Sequence, residues 1–180
     1  DLVVYTPAVP KQHAELVYYQ ENNYKVVKRS DVLGAISADT FNVCVAGTHG
    51  KTTVSTMVAH ILRDSGYGCN AFLGGISSNY GTNFWSDPNN VSVIEADEYD
   101  RSFLKLRPDI AIITAMDADH LDIYGDEATM QQAFVEFGNK VKPGGLLITK
   151  FGLKGTRDIK ADYKWTYSTT NDAASVYASD

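Results

Sequence analysis

A glycine-bounded loop that joins an apolar run to an amphipathic stretch constrains the fold of this 180-residue chain more than any other feature. The apolar run occupies residues 41–46, and apolar side chains recur at helical spacing from Val54 until Gly66. Backbone amides in such a loop, together with those at a helix N-terminus, present partial positive charge to an anion. The order strand, loop and helix therefore predicts a site for the phosphates of a nucleotide. The predicted phosphate-binding residues are Gly47, Thr48, His49, Gly50, Lys51, Thr52 and Thr53.

Two side chains of this loop have chemistry suited to a nucleoside triphosphate. Lys51 adds a full charge for the outer phosphates, and the hydroxyl of Thr52 can bind Mg²⁺. The loop departs from the general phosphate-loop pattern because Val45 stands where that pattern has glycine. The nearest upstream glycine is Gly47, so the loop is shorter than the pattern. A Gly-Lys-Thr sequence also occurs by coincidence, but the flanking strand and helix favour a phosphate site.

Composition argues against several other classes of partner. Hydrophobic residues make up 44% of the chain and charged residues 21%, as in an ordinary globular protein, and the net charge is −6. This acidic balance argues against a nucleic-acid or anionic membrane surface, and no apolar run approaches the length of a membrane span. Cys44 and Cys69 do not suggest a disulfide framework, so we expect reduced thiols. No signal peptide precedes the first strand, and we expect a cytoplasmic protein that binds neither nucleic acid nor membrane.

Short apolar runs alternate with helical patterns along the chain, which predicts an α/β fold with a mostly parallel, doubly wound sheet. The first run begins almost at Asp1, so we expect an interior piece of a longer polypeptide. Strands are predicted near residues 2–6, 25–28, 41–46, 91–96, 110–115, 146–149 and 175–178. Helices are predicted near residues 11–22, from the loop to Gly66 and near 127–141, with a helix or connector at 31–40. Residues 72–90 are predicted to form a loop rich in Gly, Asn and Ser. Ligands of such sheets gather at the carboxyl ends of the strands.

An acidic cluster, residues 95–100, follows one of these strands. Its carboxylates repel one another and need a counter-charge, which can be solvent around an acidic turn or a bound cation. At the end of a strand in a phosphate-loop domain, Mg²⁺ is the favoured interpretation, because it takes one or two carboxylates together with phosphate oxygens. We predict Glu95 as the ligand because it ends the apolar run. We expect the other carboxylates either to support this metal site without binding the ion directly or to face solvent; they are Asp97, Glu98 and Asp100.

A second polar segment, Asp117-Ala118-Asp119-His120-Leu121-Asp122, follows the next predicted strand at the same edge of the sheet. His13 and His60 fall within helical stretches and are expected at the surface or in contact with a structural partner. His49 lies in the phosphate loop and can contact phosphate. His120 is the one histidine placed like a metal ligand, although its spacing alone is equally compatible with a structural role.

Taken together, Gly47–Thr53, Glu95–Glu98 and Asp119–Asp122 resemble the motifs of the Mur ligase family of cell-wall enzymes. The resemblance extends over essentially the whole chain. It implies that residues 1–37 are the C-terminal part of a Rossmann-like N-terminal domain that binds a UDP substrate. Residues 38–180 are then most of the central ATP-binding domain, with the rest of the N-terminal domain and a C-terminal domain outside this chain. By this resemblance, the short phosphate loop is the form that the family uses.

The resemblance also implies ATP and Mg²⁺ as ligands and a catalytic set formed by Lys51, Glu95 and His120. Lys51 would hold the β- and γ-phosphates of ATP. Thr52 and Glu95 would bind one Mg²⁺, and His120 would bind a second near the transferred phosphoryl group. The segment 74–83 would line the uridine-sugar substrate. Its polar candidates are Asn79, Thr82 and Asn83, and a plain Gly/Asn turn remains the alternative for each of them.

Within the family, the motifs most resemble those of the member that joins L-alanine to UDP-N-acetylmuramic acid through an acyl phosphate. Tyr99 also resembles the member that attaches a recovered murein tripeptide to the same sugar acid, whereas residues 119–125 favour the alanine-adding enzyme. A general phosphate-loop NTPase and a nucleotide-sensing module are the alternatives from other classes. Since the family's adenine and amine contacts come largely from the C-terminal domain, we expect the chain alone to be inactive.

Overall fold

The computed structural model describes residues 1–117, 119 and 121–178. The strands are β1 (Leu2–Tyr5), β2 (Lys25–Lys28), β3 (Phe41–Ala46), β4 (Asn70–Ser77), β5 (Thr82–Trp85), β6 (Val91–Glu95), β7 (Ile110–Ile113), β8 (Leu146–Lys150), β9 (Tyr163–Ser168) and β10 (Val176–Tyr177). The α-helices are α1 (Ala14–Glu21), α2 (Arg29–Asp39), α3 (Lys51–Asp64), α4 (Leu121–Tyr124) and α5 (Glu127–Gly138). Two 3₁₀ segments cover Tyr99–Lys105 and Thr156–Asp158.

Most strands form one eight-stranded sheet with the order β10-β9-β8-β7-β3-β6-β4-β5. Every neighbouring pair is parallel except β4 and β5, which are antiparallel. The predicted α/β fold with a mostly parallel sheet is therefore confirmed. Because β3 lies between β6 and β7, the carboxyl ends of these three strands meet at one edge of the sheet. Strands β1 and β2 form a separate parallel pair.

The larger part of the core lies between the sheet and α5. The residues Met130, Phe134 and Phe137 of this helix are fully buried, as the helical spacing of the apolar residues predicts. Phe103 joins them from the segment after β6 and stacks on Phe137, with ring centroids 5.2 Å apart. The helix begins behind Asp126, whose carboxylate accepts a hydrogen bond from the Thr129 amide at 2.7 Å.

Three strands depart from the sequence prediction. The segment 72–90, predicted as a loop, contains most of β4 and all of β5, which pair as a hairpin. Strand β9 lies outside the predicted set, although its aromatic residues alternate with polar ones as in a half-exposed strand. All three are strands whose residues do not form a continuous apolar run. Within the described residues, no helix combines the length and the apolar character needed to cross a membrane.

Helix α2 connects the β1–β2 pair to the large sheet. Lys105, after β6, donates hydrogen bonds to Asp31 at 2.5 Å and to Ser30 at 3.1 Å. Near the end of α2, the Ser37 hydroxyl oxygen accepts a hydrogen bond from the Arg107 amide at 3.1 Å. These contacts hold α2 beside the carboxylate cluster and close one side of a cleft.

Candidate functional site

The loop after β3 has the backbone form that the glycine positions predict. Gly47 has φ of 136° and Gly50 has φ of 82°, a region that side chains with a Cβ atom rarely occupy. A Cβ atom on Gly47 would also lie 2.2 Å from the Thr114 hydroxyl oxygen. Helix α3 begins directly at Lys51, so the first amides of the helix lie at the end of the loop. Amides at the start of a helix have no partner within the helix, so this position suits an anion.

Thr114, directly after β7, contacts the main chain of this loop. The Thr114 hydroxyl lies within hydrogen-bond distance of the carbonyl oxygens of His49 and Ala46, at 2.5 Å and 3.2 Å. Thr48 is buried, and its hydroxyl oxygen accepts a hydrogen bond from the Asp117 amide at 3.2 Å. Thr48 therefore anchors the loop, whereas His49 has an exposed side chain. Sequence reasoning missed Thr114, for which the only signal is a polar residue at the end of an apolar run.

Lys51 lies between the loop and the acidic cluster. Its ammonium group donates to the Gly47 carbonyl at 2.8 Å and to Glu98 Oε1 at 2.7 Å. The Lys51 side chain is only 16% exposed and that of Glu98 is fully buried. Burial raises the pKa of Glu98, and the hydrogen bond from Lys51 acts in the opposite direction. Of the two alternatives expected for Glu98, exposure to solvent is wrong, because the carboxylate is buried against the phosphate-loop lysine.

Glu95 lies at the tip of β6, half-buried, and contacts neutral donors. The Thr52 hydroxyl donates to its Oε1 at 2.9 Å, and the Gly74 amide donates to its Oε2 at 2.7 Å. The Ser55 hydroxyl is 3.4 Å from the same Oε2. A Cβ atom on Gly74 would lie 2.2 Å from Oε1, so the carboxylate fills the space beside this glycine. The fold thus brings together Thr52 and Glu95, the two residues predicted to share a metal.

The donor set of this pair fits Mg²⁺, which takes hard oxygen ligands and completes its coordination with water and phosphate oxygens. One carboxylate and one hydroxyl, next to a loop with backbone donors for phosphate, match that preference. Among the residues that the structure describes, no three or more His, Cys, Asp or Glu side chains group into a metal cage of their own. His120, predicted as a ligand of a second metal, lies outside the described residues.

A cleft runs along the same edge of the sheet. One part, of about 480 Å³, lies beside Tyr99 and Asp100, and a second, of about 300 Å³, lies beside the β4–β5 hairpin. Both parts are lined by Arg29 and Leu33 of α2 and by Glu95 and Asp97 of the acidic cluster. Glu95 therefore faces the phosphate loop on one side and the cleft on the other.

The three residues predicted to contact a sugar substrate all lie on the β4–β5 hairpin, but only Asn83 lines the cleft. Asn79 is exposed at the turn of the hairpin. The Thr82 hydroxyl bonds locally, to the carbonyl of Phe84 at 3.0 Å and to its amide at 3.2 Å. The structure thus brings Asn83 toward Glu95 and leaves the other two residues away from the cleft lining.

The chain matches one family model and is similar in sequence to named proteins. Residues 45–180 match the family model described as "Mur ligase middle domain". The chain is 49% identical over 181 residues to the UDP-N-acetylmuramate–L-alanine ligase of Porphyromonas gingivalis strain W83. This alignment covers 99% of the chain but 40% of the relative, so the chain spans about two fifths of that protein.

Two solved structures have a similar fold over nearly the whole chain. The UDP-N-acetylmuramate–alanine ligase of Thermotoga maritima superposes with a TM-score of 0.77 at 29% identity, covering 94% of this chain and 39% of that one. The UDP-N-acetylmuramate:L-alanyl-γ-D-glutamyl-meso-diaminopimelate ligase of Neisseria meningitides superposes with a TM-score of 0.78 at 26% identity. It matches 92% of this chain and 58% of that one.

Proposed function

The chain belongs to the Mur ligase family, and from this membership we propose that it is the phosphate-binding part of a ligase that joins L-alanine to UDP-N-acetylmuramic acid using ATP. One observation carries the proposal. Lys51 of the phosphate loop and Glu95 of the acidic cluster lie at the same sheet edge, with Glu95 between the loop and a cleft. In this proposal residues 1–37 end a UDP-substrate domain and residues 38–180 form most of the ATP-binding domain of a cytoplasmic enzyme.

The proposed reaction activates an acid that does not condense with an amine in water. The lactyl carboxylate of UDP-N-acetylmuramic acid attacks the γ-phosphorus of ATP, which gives an acyl phosphate and ADP. The amine of L-alanine then attacks the acyl carbon, loses its proton to solvent or a base, and the tetrahedral intermediate expels phosphate. Phosphoryl transfer depends mainly on positioning and on charge neutralisation, which a loop of amides and a lysine supply.

The residues of the site have separate roles in this proposal. The amides of residues 47–53, except that of Thr48, which donates to the Ala115 carbonyl, hold phosphate oxygens, and Lys51, with three donors, contacts the β- and γ-phosphates. Thr52 and Glu95 would hold one Mg²⁺, and His120 a second. Bound Mg²⁺ neutralises charge on the phosphate oxygens during transfer. Thr48 and Thr114 keep the loop in shape, so that its amides remain directed at the anion.

The cleft beside Glu95 is the proposed site of the uridine-sugar acid. Its position at the carboxyl ends of the strands is where ligands of parallel sheets bind. Asn83 is the best-supported sugar contact because it lines the cleft together with Arg29. Asn79 and Thr82 remain predictions that substrate binding could test.

Phosphate release by the full-length ligase tests the proposal. The protein is mixed with Mg-ATP and UDP-N-acetylmuramic acid, and L-alanine, other amino acids or the murein tripeptide is offered as the amine. We expect release that requires the sugar acid and is stimulated by L-alanine. Release that is indifferent to both sugar acid and amine would identify a general NTPase and refute the ligase. The 180-residue chain alone is expected to release no phosphate in the same assay.

The tripeptide ligase is the second candidate, and the position of Tyr99 favours it. This residue, at which the sequence resembles the tripeptide enzyme, lines the larger part of the cleft beside Asp100. The 49% identity to an alanine ligase supports the first candidate instead. In the amine series, stimulation by the tripeptide alone would select the second candidate.

A further inference from the structure

We propose that Tyr124 is a positioning residue for the phosphate-binding lysine: its hydroxyl fixes the main chain at Glu98, whose carboxylate holds the Lys51 ammonium group at the loop. The inference rests on the proposed function, because it concerns how Lys51 is held for phosphoryl transfer. Tyr124 itself contacts neither nucleotide nor sugar in this scheme and acts through Glu98.

The first link is a buried hydrogen bond. The Tyr124 hydroxyl donates to the Glu98 carbonyl oxygen at 2.6 Å. Both residues are almost completely buried, so water does not compete for this bond. Burial raises the pKa of Tyr124 to about 12, so the hydroxyl keeps its proton and remains a donor over the working pH range.

The second link is the turn that follows Glu98. Asp100 and Arg101 have φ of 49° and 59°, a left-handed conformation that is unfavourable for residues other than glycine. Such a conformation persists where surrounding contacts hold it, and it is often found at functional sites. The guanidinium of Arg101 lies over the Tyr124 ring, 5.3 Å from its centroid. On the other side, Lys28 contacts the Asp100 carboxylate at 3.4 Å.

The third link is the ion pair. Glu98 Oε1 accepts from Lys51 at 2.7 Å, and the same ammonium group reaches the Gly47 carbonyl at 2.8 Å. A relaxation of the turn shifts the Glu98 carboxylate and, with it, the lysine. Displacing a group that acts on the reacting phosphate by about 1 Å can lower a rate by about a hundredfold. Tyr124 contacts the turn through both its hydroxyl and its ring, so it contributes directly to this position.

The first test compares Tyr124→Phe with Tyr167→Phe in the full-length ligase. Both tyrosines are partly or fully buried, but Tyr167 lies on β9, away from the loop, and none of the hydrogen bonds in the described part involves its hydroxyl. We expect Tyr124→Phe to lower kcat about tenfold, the effect of one lost buried hydrogen bond, while KM for ATP changes less than about threefold. Tyr167→Phe is expected to leave both constants unchanged. Equal behaviour of the two variants would overturn the inference.

A double-mutant cycle separates positioning from general destabilisation. In a Glu98→Gln background, where the charge that holds Lys51 is removed, Tyr124→Phe is expected to lower kcat by less than about twofold. The same loss in both backgrounds would show that Tyr124 does not act through Glu98.

A spectroscopic readout remains informative if the proposed reaction is wrong. In ¹⁵N-lysine-labelled full-length protein, the ammonium signal of Lys51, assigned by its loss in Lys51→Met, is expected to shift or broaden in Tyr124→Phe and not in Tyr167→Phe. An unchanged signal in Tyr124→Phe would refute the positioning role. A wild-type protein without amine-stimulated phosphate release would refute the proposed function instead, and the signal would still decide the inference.

Discussion

Glu95 and Glu98 belong to the same acidic cluster, and the fold places them in opposite environments. Glu95 ends β6, is half-buried and accepts hydrogen bonds from the neutral donors of Thr52 and Gly74. Glu98 lies just before the turn at Asp100 and Arg101, is fully buried and pairs with the Lys51 ammonium group. Among the described residues, Glu95 has only neutral hydrogen-bond donors as partners, whereas the charge of Glu98 is balanced by Lys51.

This difference shows what decides the role of a carboxylate at a strand end. Glu95 projects from the sheet edge, where phosphate and a cation can reach it. Glu98 is buried beside the loop, where it pairs with the Lys51 ammonium group. The first suits a metal ligand, and the second suits a residue that orients the ligand-binding lysine. The two variants Glu95→Gln and Glu98→Gln test the comparison directly.

The largest expected effect is on turnover of the full-length ligase. Glu95→Gln should lower kcat roughly a thousandfold, because in the proposed site it removes a ligand of Mg²⁺ and several kcal/mol of charge stabilisation. Glu98→Gln should lower it roughly tenfold, because Lys51 loses its orienting partner but keeps its contact with Gly47. Phosphate release under saturating substrates measures both. Equal losses would mean that the two carboxylates share one role and would remove the comparison.

Gly74→Ala tests whether the neutral donors really set the position of Glu95. The added methyl group would lie 2.2 Å from Oε1, so the carboxylate must move. We expect kcat to fall about a hundredfold, as for a displacement of about 1 Å at a reacting centre. Gly75→Ala is the comparison variant: its added atom meets the Thr52 methyl group at 3.1 Å and does not displace Glu95, so we expect a smaller loss of kcat. Wild-type turnover in Gly74→Ala would show that Glu95 tolerates displacement.

Lys51→Met tests whether Lys51 balances the buried charge of Glu98, and the free energy of unfolding is the quantity measured. Removing one partner of a buried ion pair costs about 3 kcal/mol of unfolding free energy, because the remaining charge stays in the interior. Adding Glu98→Gln should restore most of this stability without restoring turnover. Urea titrations of the wild type, the single variants and the double variant measure the effect. If Lys51→Met is as stable as the wild type, Glu98 does not depend on the lysine for its charge balance.

The sequence predicts those parts of the fold and site whose determinants are contiguous. Strands β3, β6, β7 and β8 are short apolar runs, and the phosphate loop carries its glycines and lysine within a few residues. The sequence does not predict the β4–β5 hairpin, because Gly74 and its neighbours have the composition of a flexible loop. The role of Gly74 depends on Glu95, which is distant in sequence and adjacent only in the folded sheet.

Burial is the property that sequence reasoning could not assign within the acidic cluster. Four carboxylates in residues 95–100 look alike in composition, and their difference arises from the turn after β6. The contact between Tyr124 and Glu98 joins two separate motifs, so neither motif alone reveals it. His120, the metal roles and the sugar contacts remain predictions that the experiments on the full-length ligase address.

The smallest expected effect is a pH dependence of stability that has opposite signs at Glu98 and at Asp126. Burial raises the pKa of Glu98 above its ordinary value of 4.5, and Asp97 acts in the same direction while Lys51 opposes it. The folded state therefore holds this proton more tightly than the unfolded chain does. The contribution of Glu98 to the free energy of unfolding is then fully present below pH 4.5 and declines as the pH rises through the raised pKa.

Asp126 provides the opposite case, because hydrogen bonds from the Thr129 amide lower its pKa below the ordinary value of 3.8. Its contribution is present above pH 3.8 and is lost as the pH falls through the lowered pKa. Glu98→Gln and Asp126→Asn remove the two titrations while keeping polar side chains in place. The difference in unfolding free energy between wild type and Glu98→Gln should decline from pH 4.5 toward neutral pH, and that for Asp126→Asn should change only in acid. If the difference in unfolding free energy between wild type and Glu98→Gln grows with pH instead, the attraction of Lys51 outweighs the effect of burial on Glu98. Both Glu98 and Asp126 would then be stabilised as anions, and the predicted opposite signs would be wrong.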